Sequence, residues 1–382
     1  MLSKLNFLTA GESHGKGLMG IIEGIPSGLE INQEYINFHL SRRQKGFGRG
    51  DRMKIEKDKV NLYSGVRHNL TLGSPIGIII ENIDFSNWKD IMSIDNPDVK
   101  IDKITLPRPG HADLAGIMKY QFQDIRNVIE RSSARETTMR VALGSICRKL
   151  LEELDIHVAS YVTEIHNVKD NKKHDIQINQ MNQIADLSPV RSLNSSIEKE
   201  MINTIKHAQE NGDTVGGKFM IIVSGCPYGL GSYTSWNQKL NAKLSESISS
   251  INAIKSISFG MNNSSHLFGS QLHDEIEYYD NQFQRTNNNS GGIEGGMSNA
   301  QNILISAEMK PLSTLTKPLK SVDISTKEKQ LAHKERTDSC AVPAASIVAE
   351  SMTCITILDA ILDKFGGDSM KDLKKHYKSA EF

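Results

Sequence analysis

Apolar residues recur at helical spacing in three stretches of the chain and cluster in short runs elsewhere. Between Arg135 and Leu154, Ala142, Ile146 and Leu150 stand four residues apart and are flanked by Leu143, Cys147, Leu151 and Leu154. That pattern predicts a helix with one broad apolar face. A second helix is expected over Pro343–Lys364, carried by Ile347, Met352, Ile355, Leu358 and Leu362, and a shorter one over Trp236–Ile248. Short apolar runs bounded by Gly and Pro predict strands at Gly17–Ile25, Lys59–Gly65, Pro75–Glu81, Lys218–Ser224 and Ile303–Ala307. Strands and helices alternate irregularly, which gives an α+β (mixed α/β) class without a sheet order. Two stretches poor in apolar residues, Asn167–Lys199 and Asp280–Ser290, read as surface excursions. No internal repeat or low-complexity linker divides the 382 residues.

Composition narrows the function classes. Hydrophobic residues make up 38% and charged residues 24%, a globular mix. The 45 basic side chains equal the 45 acidic ones, so bulk charge gives no reason to expect nucleic acid or an acidic membrane as partner. Any anion site must come from local clusters of Arg and Lys. The four cysteines, Cys147, Cys226, Cys340 and Cys354, have long irregular gaps and no C-x-x-C pair. They read as free thiols, with neither a disulfide scaffold nor a metal site. Met1–Ala10 lacks the apolar core of a secretion signal, and the longest continuous apolar run, Pro75–Ile80, has the length of a buried strand. A cytoplasmic protein with no membrane span is expected.

Several short motifs carry candidate chemistry. Gly11-Glu12-Ser13-His14-Gly15 holds a histidine on a glycine-flanked turn, where backbone approaches a ligand closely; a structural histidine is the alternative. Gly15–Gly20 also fits G-x-G-x-x-G, but the strand-like Ile21-Ile22-Glu23 that follows is not the helix that a dinucleotide fingerprint needs. The loop from Arg42 to Arg52 alternates glycines with cations, suited to phosphate or carboxylate or simply to solvent. In Arg108-Pro109-Gly110-His111-Ala112-Asp113 a turn presents His111 at a helix entry, where Asp113 favours the dipole. In Arg131–Thr137, Ser133 and Glu136 match a capping box, and Arg and Ser at a helix start suit a phosphate. Gly291–Gly296, with four glycines, reads as a close-approach loop or a flexible hairpin, and Lys310-Pro311-Leu312-Ser313-Thr314 offers a cation and two hydroxyls. Cys340, in Arg336–Cys340, has no evident activating neighbour and reads as a buried thiol.

In this order, with Gly212-Asp213-Thr214-Val215-Gly216-Gly217, the motifs resemble those of the chorismate synthase family from about residue 5 to residue 363. Three places depart from the family pattern. Asn127-Val128-Ile129-Glu130 stands where many members have a glycine run, Arg336–Cys340 replaces RHDPC and so has no histidine at 337, and Lys310–Thr314 replaces KPTSS. The resemblance implies a single-domain β-α-β sandwich over residues 1–382, with antiparallel sheets and flanking helices, assembled as a homotetramer. It implies an anti-1,4-elimination of phosphate from 5-enolpyruvylshikimate 3-phosphate to give chorismate, requiring reduced FMN without net redox change. Flavin contacts by resemblance are Arg131, Ser132, Ser133, Asn252, Ala253, Gly295, Lys310, Pro311, Leu312, Ser313, Thr314 and Arg336.

Arg43 and Arg49 match positions tied to substrate phosphate or to NADPH, and these two roles stay open. Ser13, Arg108 and Arg135 are assigned with them to substrate or NADPH. The substrate carries two carboxylates and a phosphate, a load that Arg43, Arg49, Arg108, Arg135 and Arg336 together would neutralise. The expected roles are protonation of the leaving phosphate by His14, a charged His111 beside the reduced flavin, and passage of the C6 proton by Asp338. Whether the chain reduces its own FMN with NADPH stays open at this point, and NADPH as an indirect reductant through a separate flavin reductase is the favoured reading. Two rival readings remain: a flavin reductase or other NAD(P)H oxidoreductase, which would consume reduced flavin at each turnover, and a flavin- or phosphate-binding regulator, which would bind without turnover.

Overall fold

The computed structural model describes residues 2–50, 55–96, 99–172, 174–261 and 264–380. Asp51 and Arg52 of the basic loop lie outside the described residues. Two antiparallel sheets enclose a layer of helices. The first sheet contains β1 (Asn6–Ala10), β2 (Gly17–Glu23), β3 (Asn61–Leu62) and β4 (Ile76–Glu81) in the order β1-β2-β4-β3. Side chains alternate with period two. Leu18 and Ile22 of β2 and Ile76, Ile78 and Ile80 of β4 point inward and are buried. Leu8, Met19 and Ile21 lie on the outer face, 70%, 52% and 51% exposed. β2 stops at Glu23 because Gly24 (φ +93°) turns the chain where a Cβ would lie 2.3 Å from the Lys4 carbonyl oxygen. The expected strand Lys59–Gly65 shortens to the edge pair Asn61–Leu62.

The second sheet contains β5 (His157–Ile165), β6 (Val168–Lys169), β7 (Gly217–Ser224), β8 (Ile254–Phe259) and β9 (Ile303–Met309), in the order β8-β9-β7-β5-β6. Phe219, Ile221 and Val223 of β7 and Ile303 and Ile305 of β9 are fully buried. The alternation of buried and half-buried side chains along β7 is lost in β5. A register shift interrupts it between Val162 and Glu164, and the helix Ile178–Ala185 packs on that strand.

The helices that matter for the site are α1 (Gln33–Gln44), α2 (Asp113–Tyr120), α3 (Arg126–Ser132), α4 (Thr137–Glu152), α5 (Leu240–Ser249) and α6 (Val342–Phe365). The expected helix from Arg135 begins instead with a 3-10 turn, Ala134–Glu136, and Trp236–Gln238 is likewise a 3-10 turn ahead of α5. α4 and α6 pack against each other between the sheets, α4 also touching β2 and α6 touching β5 and β7. Glycine sets both approaches of α4. A Cβ on Gly144 would lie 2.6 Å from Ser351 Cβ and 2.7 Å from the Ser351 carbonyl oxygen, and one on Gly20 would lie 2.6 Å from Met139 Cγ. Gly144→Val should therefore destabilise the protein by at least about 1–3 kcal/mol through overpacking. A thermal melt equal to that of the parent would show that the two helices do not touch there.

Among the described residues α6 is the one helix long and apolar enough to cross a membrane, and that stretch is 100% buried inside the protein. It is a core helix, apolar on every side because structure surrounds it. The sequence shows no continuous run of this length because Ser, Thr, Glu350 and Asp359 interrupt it.

Both buried acids of α6 are fully partnered. Glu350 accepts from Arg42 at 2.9 and 3.1 Å, Arg148 at 2.6 Å, Arg191 at 3.1 Å and Ser160 Oγ at 2.6 Å. Asp359 accepts the backbone N–H groups of Ser3, Lys4 and Leu5 at 2.8, 2.8 and 3.0 Å and faces Lys243 Nζ at 3.3 Å. The stretch Asn167–Lys199 is thus more than a surface excursion. Its Arg191 is buried against Glu350, and its Asn182 donates to Glu350 at 3.3 Å. Asp280–Ser290 does lie at the surface, around the exposed hairpin Ile276–Tyr279 and Gln282–Arg285.

Candidate active site

The link between β1 and β2 carries Ser13 and His14 and is fixed by one asparagine. Asn82 Nδ2 donates to the carbonyls of Glu12, Ser13 and Gly15 at 3.1, 3.2 and 2.8 Å. Its Oδ1 accepts from Arg135 Nε and Nη2 at 3.0 and 2.8 Å, tying this loop to the start of α4. Gly17 and Gly20 of the apparent dinucleotide fingerprint are strand residues of β2, which excludes that reading. His14 is buried and its ring stacks on Trp88, with centroids 3.9 Å apart and planes 23° apart. Its Nδ1 lies 2.9 and 3.1 Å from the two carboxylate oxygens of Glu130, and its backbone N–H donates to the same carboxylate at 2.7 Å.

A second histidine–carboxylate pair stands at the entry of α2. His111 Nδ1 lies 2.5 Å from Asp113 Oδ1. Arg108 Nε and Nη2 donate to the two oxygens of Asp113 at 2.8 and 3.0 Å, and Nη1 donates to Thr314 Oγ1 at 3.0 Å. Burial pushes the Asp113 carboxyl up, but hydrogen bonds from His111 and Arg108 outweigh it and hold the acid well below the ordinary carboxylate range. The turn docks on the segment after β9. Ser313 Oγ donates to the Gly110 carbonyl at 2.7 Å, and Lys310 Nζ reaches that carbonyl at 2.9 Å and Ser313 Oγ at 2.6 Å. Gly110 has φ +76°, and a Cβ there would approach Ser313 Oγ to 3.1 Å.

Most of the cations are set deep, whereas Arg336 is half exposed. Arg43 is fully buried on α1. Its Nε and Nη2 donate to Thr137 Oγ1 at 3.1 and 3.0 Å and Nη2 to the Ala134 carbonyl at 2.9 Å, whereas Nη1 has no hydrogen-bond partner and lies 3.8 Å from Asp58. Burial, only partly offset by Asp58, pulls the Arg43 guanidinium down to about 9. Arg135 pairs with Asp58 at 2.5 Å. Arg49 Nη1 and the Gly50 N–H hold Asp338 at 2.8 and 2.7 Å, and Arg336 reaches Asp84 at 2.8 Å.

These segments enclose one cavity of about 460 Å³, lined by both histidines, Asp338, Arg43, Arg49, Arg108, Arg135, Arg336 and Lys310. Ser13, Ser132, Ser133, Asn252, Ala253, Leu312, Ser313 and Thr314 line it too. Its size suits a small-molecule site. Three residues expected at the flavin, Arg131, Gly295 and Pro311, do not line this cavity. Arg131 points away, donating to the carbonyls of Thr9 and Gly11 at 2.7 and 3.1 Å. Gly295 forms the exposed turn of the hairpin joining Ile293–Glu294 to Met297–Asn299, and Pro311 faces solvent. The expected capping box is half made. Ser133 Oγ accepts from Arg135 N at 3.3 Å and donates to Ser13 Oγ at 3.1 Å, while Glu136 pairs with Arg140. Cys340 is buried and burial pushes its thiol up to about 12, so it is no nucleophile. All four thiols are free and buried.

Sequence reasoning missed Asn82, Trp88 and Asp58, and gave Glu130 no role. The signal for Trp88 was rarity, since the chain has two tryptophans. That for Glu130 was its position, an acid where the resembling family commonly has glycine.

The chain and its fold have close counterparts. A family model described as chorismate synthase matches residues 5–362. The chorismate synthase of Alkaliphilus metalliredigens (strain QYMF) is 51% identical over 374 residues, covering 97% of this chain and 98% of the relative. That of Enterococcus faecalis (strain ATCC 700802 / V583) is 48% identical over 379 residues, covering 98% of each. A solved structure titled "Crystal Structure of Chorismate Synthase" matches with a TM-score of 0.80 at 35% identity, over 99% of this chain and 97% of that one.

Proposed function

The chain belongs to the chorismate synthase family, and from that premise we propose how its central cavity performs the family's reaction. The enzyme is a carbon–oxygen lyase of the shikimate route to aromatic amino acids, and removes phosphate from 5-enolpyruvylshikimate 3-phosphate to give chorismate. The observation that carries the assignment of the site is its charge. Five arginines, a lysine and two histidines surround about 460 Å³, matching a small substrate with two carboxylates and a phosphate. The buried Arg43 Nη1 makes no hydrogen bond and faces Asp58 at 3.8 Å, which leaves a donor for a substrate anion. We assign Arg43, Arg49 and Arg336 to the anionic groups, while Arg135, engaged by Asn82 and Asp58, ties the His14 loop to the start of α4. Arg108 is engaged by Asp113 and Thr314 and orients the His111 turn.

Reduced FMN fits the same cavity. Asn252 Oδ1 is buried without a partner, a free acceptor for a ring N–H, while Lys310, Ser313 and Thr314 form a polar cradle for a phosphate or sugar chain. When bound, this electron-rich cofactor supplies the transient charge that lets an unactivated C–H and a C–O bond break. The chain's own residues do the rest. His14 gives a proton to the departing phosphate oxygen. His111, held by Asp113, places positive charge in the cavity. Asp338, held by Arg49 and Gly50, handles the proton that leaves C6. Water is kept out by Ile129, Ile251, Met309 and Val348 on the wall.

We further propose a homotetramer, supported by the exposed apolar outer face of the first sheet and by the protruding hairpin with Tyr278, Tyr279 and Phe283 exposed. A separate flavin reductase drawing on NADPH would supply reduced FMN.

The decisive assay is anaerobic, with purified protein, 5-enolpyruvylshikimate 3-phosphate and chemically reduced FMN. Chorismate absorbance and free phosphate should rise together, many times per flavin. Folded protein that binds flavin but releases neither product would overturn the reading, and consumption of one reduced flavin per turnover would favour a reductase.

A further inference from the structure

Glu130 lies on α3, 3% exposed, and every oxygen it has is committed to the segment that carries His14. Its backbone carbonyl accepts the Ser13 N–H at 3.0 Å. Its carboxylate accepts the His14 backbone N–H through Oε2 at 2.7 Å and faces His14 Nδ1 through Oε1 at 2.9 Å. Arg126 Nη1 donates to Oε1 at 3.2 Å and to Glu335 at 2.9 Å, so the carboxylate is itself oriented. Burial pushes the Glu130 carboxyl up, but the His14 hydrogen bonds and the Arg126 charge hold it below the usual carboxylate range.

We infer that Glu130 is the positioning residue for His14, holding the ring with a proton on Nδ1 so that Nε2 is the nitrogen presented to the leaving phosphate. This rests on the proton-donor role proposed for His14. An ionised carboxylate has no hydrogen to give, so the hydrogen between Glu130 and Nδ1 belongs to the ring. Stacking on Trp88 fixes the ring plane, and Trp88 is anchored in turn by its Nε1–H to Asp84 at 3.3 Å. The pair is competent before and after the transfer. The imidazolium has its charge balanced by Glu130, and once the Nε2–H bond breaks and the new O–H bond forms on phosphate, the neutral ring keeps Nδ1–H on the carboxylate. Glutamine does not substitute. Its amide would set N–H against either the His14 backbone N–H or the Nδ1–H and Arg126 donors.

The test compares the wild type, Glu130→Gln, His14→Ala and the double variant. In protein labelled with [15N]histidine, the His14 Nδ1 of the wild type should carry a proton, and Glu130→Gln should move it to Nε2. In the anaerobic assay Glu130→Gln should lower kcat by about 10²-fold or more with KM changed by less than about threefold. In the His14→Ala background the same change should have almost no further effect, because the two residues act as one unit. A bare Nδ1 in the wild type, a wild-type kcat in Glu130→Gln, or rate losses that multiply in the double variant would each overturn the inference. Should Glu130→Gln fail to fold, the wild-type spectrum decides alone. A wild type with no elimination activity would count against the proposed function, and its His14 spectrum would still decide the Glu130 pairing.

Discussion

His14→Ala is expected to fold normally and to eliminate phosphate roughly 10²–10⁴-fold more slowly, with His111→Ala losing rate on the same scale. The loop survives loss of the ring because its anchors are backbone groups. Asn82 holds three of its carbonyls, and the His14 N–H still reaches Glu130. What disappears is a proton donor at the leaving oxygen, so the loss should fall on kcat more than on KM. In the His111 variant, Asp113 keeps Arg108, so the turn should hold its shape while the cavity loses one positive group. Steady-state kinetics with unchanged thermal melts would establish this. Near-normal turnover in both variants would remove the histidines from the mechanism.

The second large effect is on stability. Glu350→Ala should cost about 3–5 kcal/mol or more, because it leaves the guanidiniums of Arg42, Arg148 and Arg191 buried with too little opposite charge. Burial by itself would raise the Glu350 carboxyl, but the three arginines bring it down to about 2 from an ordinary 4.5. A depressed folded-state value stabilises the fold fully above the unfolded value and progressively less below it. This contribution is therefore complete above pH 4.5 and disappears as the pH falls towards 2, worth on the order of 3 kcal/mol over that window. Urea unfolding of wild type and variant at pH 7 and pH 3 checks both statements. The difference between the two proteins should shrink at the lower pH. Equal midpoints at pH 7 would mean that the cluster contributes nothing.

The sequence is informative where physical constraint is local. The Gly17–Glu23 and Ile76–Glu81 strands fall where short apolar runs are bounded by Gly and Pro, and the helix over Val342–Phe365 lies close to where its apolar spacing puts it. Pattern fails where two surfaces compete for one segment. His157–Ile165 is covered on both sides and interrupted by a register shift, so it has no period to read. At the site, motif order brought seventeen of the assigned side chains to one cavity. Arg131 is not among them, because its position in a helix says nothing of which way a long side chain turns. The partners Asn82, Asp58 and Glu130 are joined to Arg135 and His14 across 53, 77 and 116 residues. Pairings of that kind exist only in three dimensions.

The central position of α6 also has a consequence for synthesis. It packs between α4 and the second sheet, both built from earlier residues, yet it begins only at Val342. While the chain is being made at about 5–20 residues per second, α4 and the inward face of the second sheet wait for many seconds without their main apolar partner. Until α6 emerges, Arg42, Arg148 and Arg191 also lack the acid that balances them. The nascent protein should therefore be a client for chaperones until termination. A ribosome-stalled chain ending before Val342 should be cleaved by protease far faster than one released whole.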